Sequence, residues 1–343
     1  MLTSMPMMTA GIFMGTMTAI MTNHWLVAWI GLETNMLAML MMTAKPKTSR
    51  SSEATTKYFL IQAIASILIL MSSTANVWHN GTWSLTQLYN NHSTTIMTIG
   101  LATKMGAAPI HFWLPEVMQG SSMASALLMS TWQKIAPTVL MYTAAKNMTP
   151  IALMTIGLLS ILVGGLRGIN QTQLLKIMAF SSISNTGWTT LMMAISPNIA
   201  LLNTFLYINI ACPIFMIMIS HPTKTLLDLS AMWTLTPTLP LTMALLALST
   251  SGLPPLTGFA PKLLALNDLT EQKLLITATA ATTLSLINLL FYLRITHMAM
   301  MLTPPTTTTG TTKWRFYPNQ PTLTALLTPT ALTTLFMGPM IPY

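Results

Sequence analysis

The stretch Gly252-Leu-Pro-Pro-Leu-Thr-Gly-Phe-Ala-Pro-Lys262 interrupts an otherwise apolar segment at residues 238–268. Proline has no backbone N–H, so the two prolines leave the carbonyls of Thr250 and Ser251 without their helical hydrogen bonds. The segment is long enough to cross a membrane, so we predict a broken transmembrane helix. Unpaired backbone at that depth is tolerated only where protein covers it or where it borders water.

A second segment has the same features. In Lys104-Met-Gly-Ala-Ala-Pro109, the proline releases the carbonyl of Met105, and Gly106 allows the chain to open. A proline kink explains one such segment. Two of them, each with a lysine, indicate a transport pathway, because broken helices in the two halves of a transporter mark its binding site. The residues predicted to break the helices are Gly106, Pro109, Pro254, Pro255, Gly258 and Pro261.

The composition also indicates a membrane protein. Of the 343 residues, 52% are apolar and only 6% are charged, and so few charges cannot cover the surface of a soluble protein of this size. The net charge of +9 comes from single Lys and Arg residues and forms no basic stripe, so we predict no nucleic-acid binding. The single cysteine, Cys212, excludes an intrachain disulfide and is predicted to be a small buried apolar residue.

Apolar segments of membrane-spanning length recur along the chain. A bilayer core of about 30 Å needs roughly 20 apolar residues per helix. We predict about eleven spans, at residues 2–21, 24–43, 57–75, 94–112, 122–144, 149–167, 174–195, 199–219, 238–268, 274–298 and 322–341. The ninth is too long and too rich in proline to be one regular helix, and residues 303–321 form a Thr- and Pro-rich loop.

The basic residues predict the orientation of these spans. Only Lys146 and Lys273 flank loops on one side. The opposite side, which includes the N-terminus, has Lys45, Lys47, Arg50, Lys57, Arg167, Lys176, Lys224, Arg294, Lys313 and Arg315. Because basic loops stay on the inner side of a membrane, the N-terminus is predicted to face the matrix or the bacterial cytoplasm.

Four charged residues lie inside the predicted spans and are the candidate functional residues: Glu33, Lys104, Lys134 and Lys262. One ionised side chain at the bilayer centre costs about 2.5–3.5 kcal/mol, so four of them suggest a hydrated interior where they interact. A structural ion pair, or a lysine that extends to the membrane surface, explains them without a function. Lys134 is too far from either end of its span for that extension.

His111 is a second candidate, because imidazole exchanges protons near neutral pH. Its position near a predicted membrane end favours an interfacial role equally. The other histidines have no ligand spacing with a carboxylate or thiol, so we predict no metal site. The sequence also has no dinucleotide fingerprint, no phosphate loop and no cysteine cluster, so no redox cofactor is expected in this chain.

Four segments resemble the antiporter-like membrane subunits of the mitochondrial NADH:ubiquinone oxidoreductase, respiratory complex I. They are Trp29-Ile-Gly-Leu-Glu33-Thr-Asn-Met, the Lys104 to Glu116 segment, Trp132-Gln-Lys134-Ile-Ala-Pro137 and the Leu253 to Lys262 segment. The resemblance implies an all-α transmembrane bundle of two inverted five-helix repeats with broken helices, residues 1–146 and 147–300. A loop at 301–321 and a final helix at 322–343 complete it.

The same resemblance implies the roles and partners. In that family the glutamate and three lysines that match Glu33, Lys104, Lys134 and Lys262 form an axis that takes up and passes protons. NADH, FMN, iron–sulfur clusters and ubiquinone are expected on other subunits, so this chain is part of an enzyme but holds no cofactor. The expected partners are other membrane-arm subunits and lipids, in the mitochondrial inner membrane, with protons as the only small substrate.

These observations lead to a hypothesis of proton transfer by switched pairing. A lysine beside Glu33 keeps its proton, whereas a lysine separated from it in apolar surroundings releases the proton. Lys104 is expected to switch, Lys134 to connect, and Lys262 to exchange protons at the far end. Two alternatives stay open: a subunit of a cation/proton antiporter, and a membrane subunit whose buried charges have only a structural role.

Overall fold

The computed structural model describes residues 4–88, 90–221, 223–235, 238–254, 256–300 and 322–333, and within these ranges helices joined by short loops make up the protein. No β-strand occurs among the described residues, where two isolated bridges are the only β contacts. The predicted all-α class is therefore confirmed. The number of membrane-crossing helices stays a prediction.

The helices of the first part of the chain are α1 Ser4–Met21, α2 Trp25–Ala44, α3 Ser49–Asn80, α4 Asn91–Met105, α5 Trp113–Gly120, α6 Met123–Ser130 and α7 Trp132–Ala144. A short 3₁₀ turn at Ala145–Asn147 leads to the second part. Its helices are α8 Pro150–Ile169, α9 Leu174–Met193, α10 Pro197–Ser220, α11 Leu226–Leu235, α12 Thr238–Ser251, α13 Phe259–Glu271, α14 Leu275–Met300 and α15 Thr322–Thr333.

The outer surface of the bundle is apolar, as a lipid-facing surface must be. Among the described helices, α2, α3, α8, α10 and α14 are long and apolar enough to cross a membrane. Large apolar side chains such as Phe205, Ile276 and Leu286 are exposed on this surface. Water would disfavour such a surface, whereas hydrocarbon does not, so the model agrees with a bundle that spans a bilayer.

Helix α9 lies in the middle of the bundle. Every residue from Ile177 to Met193 is buried, with α5, α8 and α10 among the neighbouring helices. Yet α9 is rich in Ser and Thr, whose hydroxyls donate hydrogen bonds to carbonyls of the preceding turn, as Ser182 does to Ala179 at 2.7 Å. These local bonds satisfy the hydroxyls inside the bundle, so α9 provides a polar strip within an apolar core.

The structure differs from the predicted spans at one place that was treated as a single helix. The 122–144 span divides at Thr131 into α6 and α7, whereas in the 94–112 span α4 ends at Met105, at the predicted break. The hydroxyls of Ser130 and Thr131 both donate to the carbonyl of Leu127, at 3.0 and 2.7 Å. Helix α6 ends at Ser130, and the backbone of Thr131 departs from helical geometry with φ −114° and ψ −74°.

Helix α11 was not predicted, because its ten residues are too few to cross a membrane. It begins where the backbone N–H groups of Thr225 and Lys224 each donate to the Asp228 carboxylate at 2.8 Å. These bonds hold the pKa of Asp228 below its usual value. The Thr225-x-x-Asp228 spacing is typical of a helix start and was available in the sequence.

Cys212 is half-buried, whereas the sequence predicted a buried residue.

The two parts of the chain repeat one connection between loops. In each part, the loop after the first helix and the loop after the third exchange two backbone hydrogen bonds. In the first part, the N–H of Trp25 donates to the Trp83 carbonyl (3.0 Å) and that of Leu85 to the Asn23 carbonyl (3.1 Å). In the second part, the N–H of Leu174 donates to the Lys224 carbonyl (3.0 Å) and that of Leu226 to the Thr172 carbonyl (3.1 Å). This correspondence agrees with repeats at 1–146 and 147–300, and that division stays a prediction.

Glycines bring the first two helices of each part into backbone contact. A Cβ atom added at Gly15 on α1 would lie 2.7 Å from the backbone nitrogen of Asn35 on α2. A Cβ added at Gly164 on α8 would lie 2.9 Å from the Phe180 carbonyl and 2.9 Å from the Ser184 nitrogen on α9. Small residues at such crossings are how membrane helices pack closely.

We expect Gly164→Ala to lower the free energy of unfolding by about 1–3 kcal/mol, because the added methyl must push α8 away from the α9 backbone. Thermal unfolding of the purified protein in detergent, followed by tryptophan fluorescence, measures the change. Leu159→Phe adds more bulk on the exposed side of α8 and serves as the control. Equal unfolding midpoints for Gly164→Ala and the unaltered protein would contradict the close contact.

Candidate functional site

Glu33 and Lys104 meet inside the bundle. The Lys104 Nζ lies 3.7 Å from the Glu33 Oε1, and the two side chains are 4% and 21% exposed. That Oε1 atom is buried and has no hydrogen-bond partner, because 3.7 Å is beyond hydrogen-bond distance. The pair is thus an ion pair without a direct hydrogen bond, and a small movement of either side chain would tighten or separate it.

Lys104 lies in the last turn of α4, directly before the predicted break. The helix ends at Met105, and Gly106 adopts a left-handed conformation with φ 76°. A Cβ at Gly106 would approach the Leu114 side chain to 2.6 Å, so the turn requires glycine for both its conformation and its space. The carbonyls at a helix C-terminus carry partial negative charge and favour the Lys104 ammonium.

Lys262 binds the carbonyls at the end of the other broken helix. Its Nζ donates to the Ser251 carbonyl at 2.6 Å and approaches the Thr250 carbonyl at 3.4 Å. These are the two carbonyls that Pro254 and Pro255 were predicted to release. Pro255 itself lies outside the described residues.

The glycines around Lys262 make room for this contact. Gly252 has φ 83°, and a Cβ there would lie 3.0 Å from the Lys262 Nζ. Gly258 approaches the Ser249 carbonyl so closely that no side chain fits. Pro261 lies in the first turn of α13, where its missing N–H interrupts no helical hydrogen bond, so it starts that helix instead of breaking it.

Lys134 is held by the central helix. Its Nζ donates to the Ser182 carbonyl of α9 at 2.9 Å and lies 4.9 Å from the centre of the Tyr207 ring. The break at Thr131 places Lys134 in the first turn of α7, where the helix dipole disfavours a positive charge. The Ser182 carbonyl and the Tyr207 ring offset that effect.

Helix α9 lies between Lys134 of the first part and Lys262 of the second part. Lys134 contacts α9 at Ser182, and the Lys262 Nζ lies 5.9 Å from the ring of Trp188. Two small cavities, each of about 10 Å³, lie between α9 and α10, and both are lined by Asn185 and Tyr207. The first also borders Lys134, and the second borders Thr250, the residue whose carbonyl Lys262 approaches.

His111 is enclosed by protein, at 2% exposure, and its depth in the membrane stays a prediction. Its Nδ1 lies 3.0 Å from the Pro109 carbonyl, and its Nε2 lies 2.9 Å from a guanidinium nitrogen of Arg167. A carbonyl only accepts and a guanidinium only donates, so the ring is neutral with its proton on Nδ1. Both nitrogens are engaged, which leaves His111 no free site for relay in this arrangement.

Two features of this region were missed from the sequence. Arg167 was assigned to a loop side, but its guanidinium also stacks 4.6 Å from the Phe112 ring and joins α8 to the α4–α5 connection. The Gln133 side chain donates to Asn35 at 2.8 Å, which connects the helices of Lys134 and Glu33. Gln133 is adjacent to Lys134 and Asn35 is two residues from Glu33, and this proximity in the sequence could have identified the two amides.

The described part of the chain contains no group of three or more His, Cys, Asp or Glu side chains that could hold a metal ion. The candidate site consists of one carboxylate, three lysines and a set of hydroxyl and amide groups. Such groups bind and exchange protons, and none of them exchanges electrons.

Comparisons with known proteins agree with this chemistry. Residues 22–288 match the family described as NADH:quinone oxidoreductase/Mrp antiporter, TM. The chain is 41% identical over 331 residues to a protein of Oryctolagus cuniculus named NADH-ubiquinone oxidoreductase chain 2, with 96% of this chain and 95% of that protein covered. A protein of the same name from Salmo salar is 43% identical over 329 residues, with 96% and 93% covered.

Solved structures show the same fold. A chain of respiratory complex I from Thermus thermophilus, solved with bound aureothin, superposes with a TM-score of 0.86 at 25% identity, covering 97% of this chain and 78% of that chain. A chain of the Mrp complex from Dietzia superposes with a TM-score of 0.79 at 18% identity, covering 88% and 61%. The chain therefore belongs to the NADH:quinone oxidoreductase/Mrp antiporter family of membrane proteins, in the branch named NADH-ubiquinone oxidoreductase chain 2.

Proposed function

We propose that this chain translocates protons as a membrane-arm subunit of a proton-pumping NADH:ubiquinone oxidoreductase. The protons pass through Glu33, Lys104, Lys134 and Lys262. The observation that carries the proposal is the buried Glu33–Lys104 pair at 3.7 Å, placed at the end of a broken helix. A structural ion pair gains most from tight, hydrogen-bonded geometry, whereas this pair is held loosely enough to open.

The mechanism follows from the surroundings of each charge. When Glu33 approaches Lys104, the carboxylate stabilises the ammonium, and when it withdraws, the apolar interior favours the neutral amine and a proton leaves. Lys134 receives it while bound to the Ser182 carbonyl, and Lys262 receives it at the carbonyls of Thr250 and Ser251. Each acceptor is a fixed dipole that needs little rearrangement when the charge arrives.

The energy must come from other subunits. Moving one charge against a membrane potential costs about 2.3 kcal/mol per 100 mV. The names of the relatives include NADH and ubiquinone, and we place the sites for NADH, FMN, iron–sulfur clusters and ubiquinone on partner subunits of the membrane and peripheral arms. In this proposal, quinone reduction elsewhere in the assembly drives the movement of Glu33 relative to Lys104.

We place the chain in the mitochondrial inner membrane with its N-terminus towards the matrix. Basic residues predicted to share one side do come together: Arg50, Lys57 and Lys176 line one surface cleft. On the same side, Arg294 donates a hydrogen bond to the Ile169 carbonyl at 2.7 Å. Ile169 follows Arg167 by two residues in the sequence. Such a cluster supports a matrix-facing side, because basic loops stay on the inner side.

We expect Lys104→Met and Glu33→Gln each to lower the number of protons pumped per NADH oxidised, because each removes one partner of the switch. The complex that contains this chain is reconstituted into proteoliposomes, and pumping is measured with a pH-sensitive dye beside NADH oxidation. Lys57→Met is the matched control, since Lys57 is also ion-paired, at 2.5 Å to Glu53 and 2.6 Å to Glu116, but is exposed.

The same measurements separate the alternatives. Unchanged pumping by both variants in a fully assembled complex contradicts the proposal. Reduced assembly with normal pumping per NADH identifies a structural role for the pair. Proton movement that follows a cation gradient without NADH oxidation identifies the antiporter activity that the likeness to the Mrp complex makes a rival.

We expect Gly252→Ala to impair pumping without removing any charge. The new methyl would lie 2.9 Å from the Lys262 side chain, in a left-handed conformation that costs a non-glycine residue about 1 kcal/mol. Lys262 would be displaced from the Ser251 carbonyl, which pumping measurements in proteoliposomes detect. Gly81→Ala has the same left-handed backbone with no atom near its Cβ, and it should pump normally. Equal effects of the two variants would attribute the loss to backbone strain alone.

The orientation has its own test. Ser49 is the first residue of α3 and Thr82 lies two residues beyond its last, and the 32 residues of the helix span about 48 Å. In a Cys212→Ser background, a membrane-impermeant maleimide should label Ser49→Cys only in inside-out vesicles and Thr82→Cys only in intact mitochondria without outer membranes. The reverse pattern would place the N-terminus in the intermembrane space.

A further inference from the structure

The connection between Lys134 and Lys262 needs an additional proton carrier. The two lysines contact α9 six residues apart, at Ser182 and Trp188, which corresponds to about 9 Å along the helix. A proton moves between hydrogen-bonded groups about 3 Å apart, so this gap requires intermediate groups. Each of the two cavities along it has about 10 Å³, which is about the room that one water molecule needs.

Tyr207 occupies the position between the two cavities. It lines the first together with Lys134 and the second together with Thr250, and its ring centre lies 4.9 Å from the Lys134 Nζ. The side chain is buried, and its hydroxyl has no hydrogen-bond partner of normal geometry. Buried hydroxyls are almost always hydrogen-bonded to protein or water, so this one indicates bound water in the adjoining cavities.

The serine and threonine hydroxyls nearby are less suited to carry the proton. Ser181 donates to the Met178 carbonyl at 2.7 Å, Ser182 to Ala179 at 2.7 Å, and Thr250 to Ala247 at 2.7 Å. Their O–H groups are committed to the preceding helical turn, so they offer only lone pairs to a neighbour. The Tyr207 O–H is not bonded to its own helix; it lies near the Ser181 and Ser182 side chains of α9, and its side chain lines both cavities.

The second cavity holds a further unpaired group. Asn203 is buried, lines this cavity and has no hydrogen-bond partner for its Nδ2. Asn185 lines both cavities, and its own Nδ2 is bonded to the Ser181 carbonyl at 3.0 Å. An unpaired amide donor, the oxygen of Asn185 and the tyrosine hydroxyl supply the two to four polar partners that a buried water needs.

We propose that the Tyr207 hydroxyl, with one water in each cavity that it lines, carries protons between Lys134 and Lys262. The Lys134 ammonium gives a proton to the first water, which passes one of its own to the Tyr207 oxygen. Tyr207 releases its original proton to the second water, which passes one to the neutral amine of Lys262. The net change is a neutral Lys134 and a protonated Lys262, with the hydroxyl and both waters unchanged in composition.

After each transfer the hydroxyl and waters must turn before the next proton can follow. A hydroxyl with no fixed partner turns without breaking a bond to the protein, which is the property that separates Tyr207 from the serines of α9. The Asn203 amide has the complementary task of holding the second water in place. This inference rests on the proposed function, because it requires that Lys134 and Lys262 exchange protons.

The test compares Tyr207→Phe with Lys134→Met in the assembled complex in proteoliposomes. Phenylalanine keeps the ring and removes only the hydroxyl, so packing is preserved. We expect Tyr207→Phe to lower protons pumped per NADH to the level of Lys134→Met, with no further loss in the double variant, because both changes interrupt one path. Tyr142→Phe is the matched control, since that hydroxyl bonds Asn198 at 3.0 Å at the surface.

Two outcomes separate this inference from the proposed function. Normal pumping by Tyr207→Phe beside reduced pumping by Lys134→Met overturns the tyrosine relay and leaves the proposed function standing. Normal pumping by both variants overturns the proposed function itself.

A second variant tests the relay if Tyr207→Phe prevents assembly of the complex. Asn203→Leu replaces an unpaired buried amide with an apolar group of similar size, so the fold should be retained. It removes the anchor of the second water and is expected to lower pumping and to raise the H₂O/D₂O rate ratio of turnover. Unchanged values of both quantities in assembled Asn203→Leu complex overturn the water-supported relay.

Discussion

The structure depends on how an apolar bundle accommodates three buried ammonium groups. An isolated ammonium in hydrocarbon is too costly to retain, and there are too few carboxylates to pair with all three. The bundle instead uses backbone carbonyls: those of Ser251 and Thr250 for Lys262, and that of Ser182 for Lys134. Breaking a membrane helix, which is otherwise unfavourable, supplies the two carbonyls that Lys262 binds, whereas the Ser182 carbonyl belongs to the continuous helix α9.

This constraint explains the placement of the other polar groups. Helix α9 is buried on all sides, yet it is rich in hydroxyls, and it contacts Lys134 through the Ser182 carbonyl and Lys262 through the Trp188 ring. Because its Ser and Thr side chains bond to their own helix, α9 adds polar atoms to the core without leaving them unsatisfied. Two buried groups without partners, the Asn203 amide and the Tyr207 hydroxyl, lie beside the small cavities, where the proposed waters would satisfy them.

The sequence predicted the class of fold and the four buried charges, because long apolar segments and isolated charges are local signals. It also predicted that Pro254 releases the carbonyl of Thr250, because a proline removes the hydrogen bond to the carbonyl four residues before it. It did not predict the break at Thr131 or the bond between Arg167 and His111. The first occurs where no proline or glycine lies between Met123 and Ala136, and the second joins residues 56 positions apart. Neither leaves a periodic pattern.

The two broken helices hold their lysines in different ways, and the difference has a mechanistic consequence. Lys104 lies on the first half-helix and faces the Glu33 carboxylate. Lys262 comes from the second half-helix and reaches back to neutral carbonyls, and no ion pair to it occurs in the described part of the chain. A neutral dipole holds a proton with constant strength, whereas a carboxylate that moves would change its hold. Under the proposed mechanism, control of proton release therefore lies at Lys104, and Lys262 responds to the charge that arrives through Lys134.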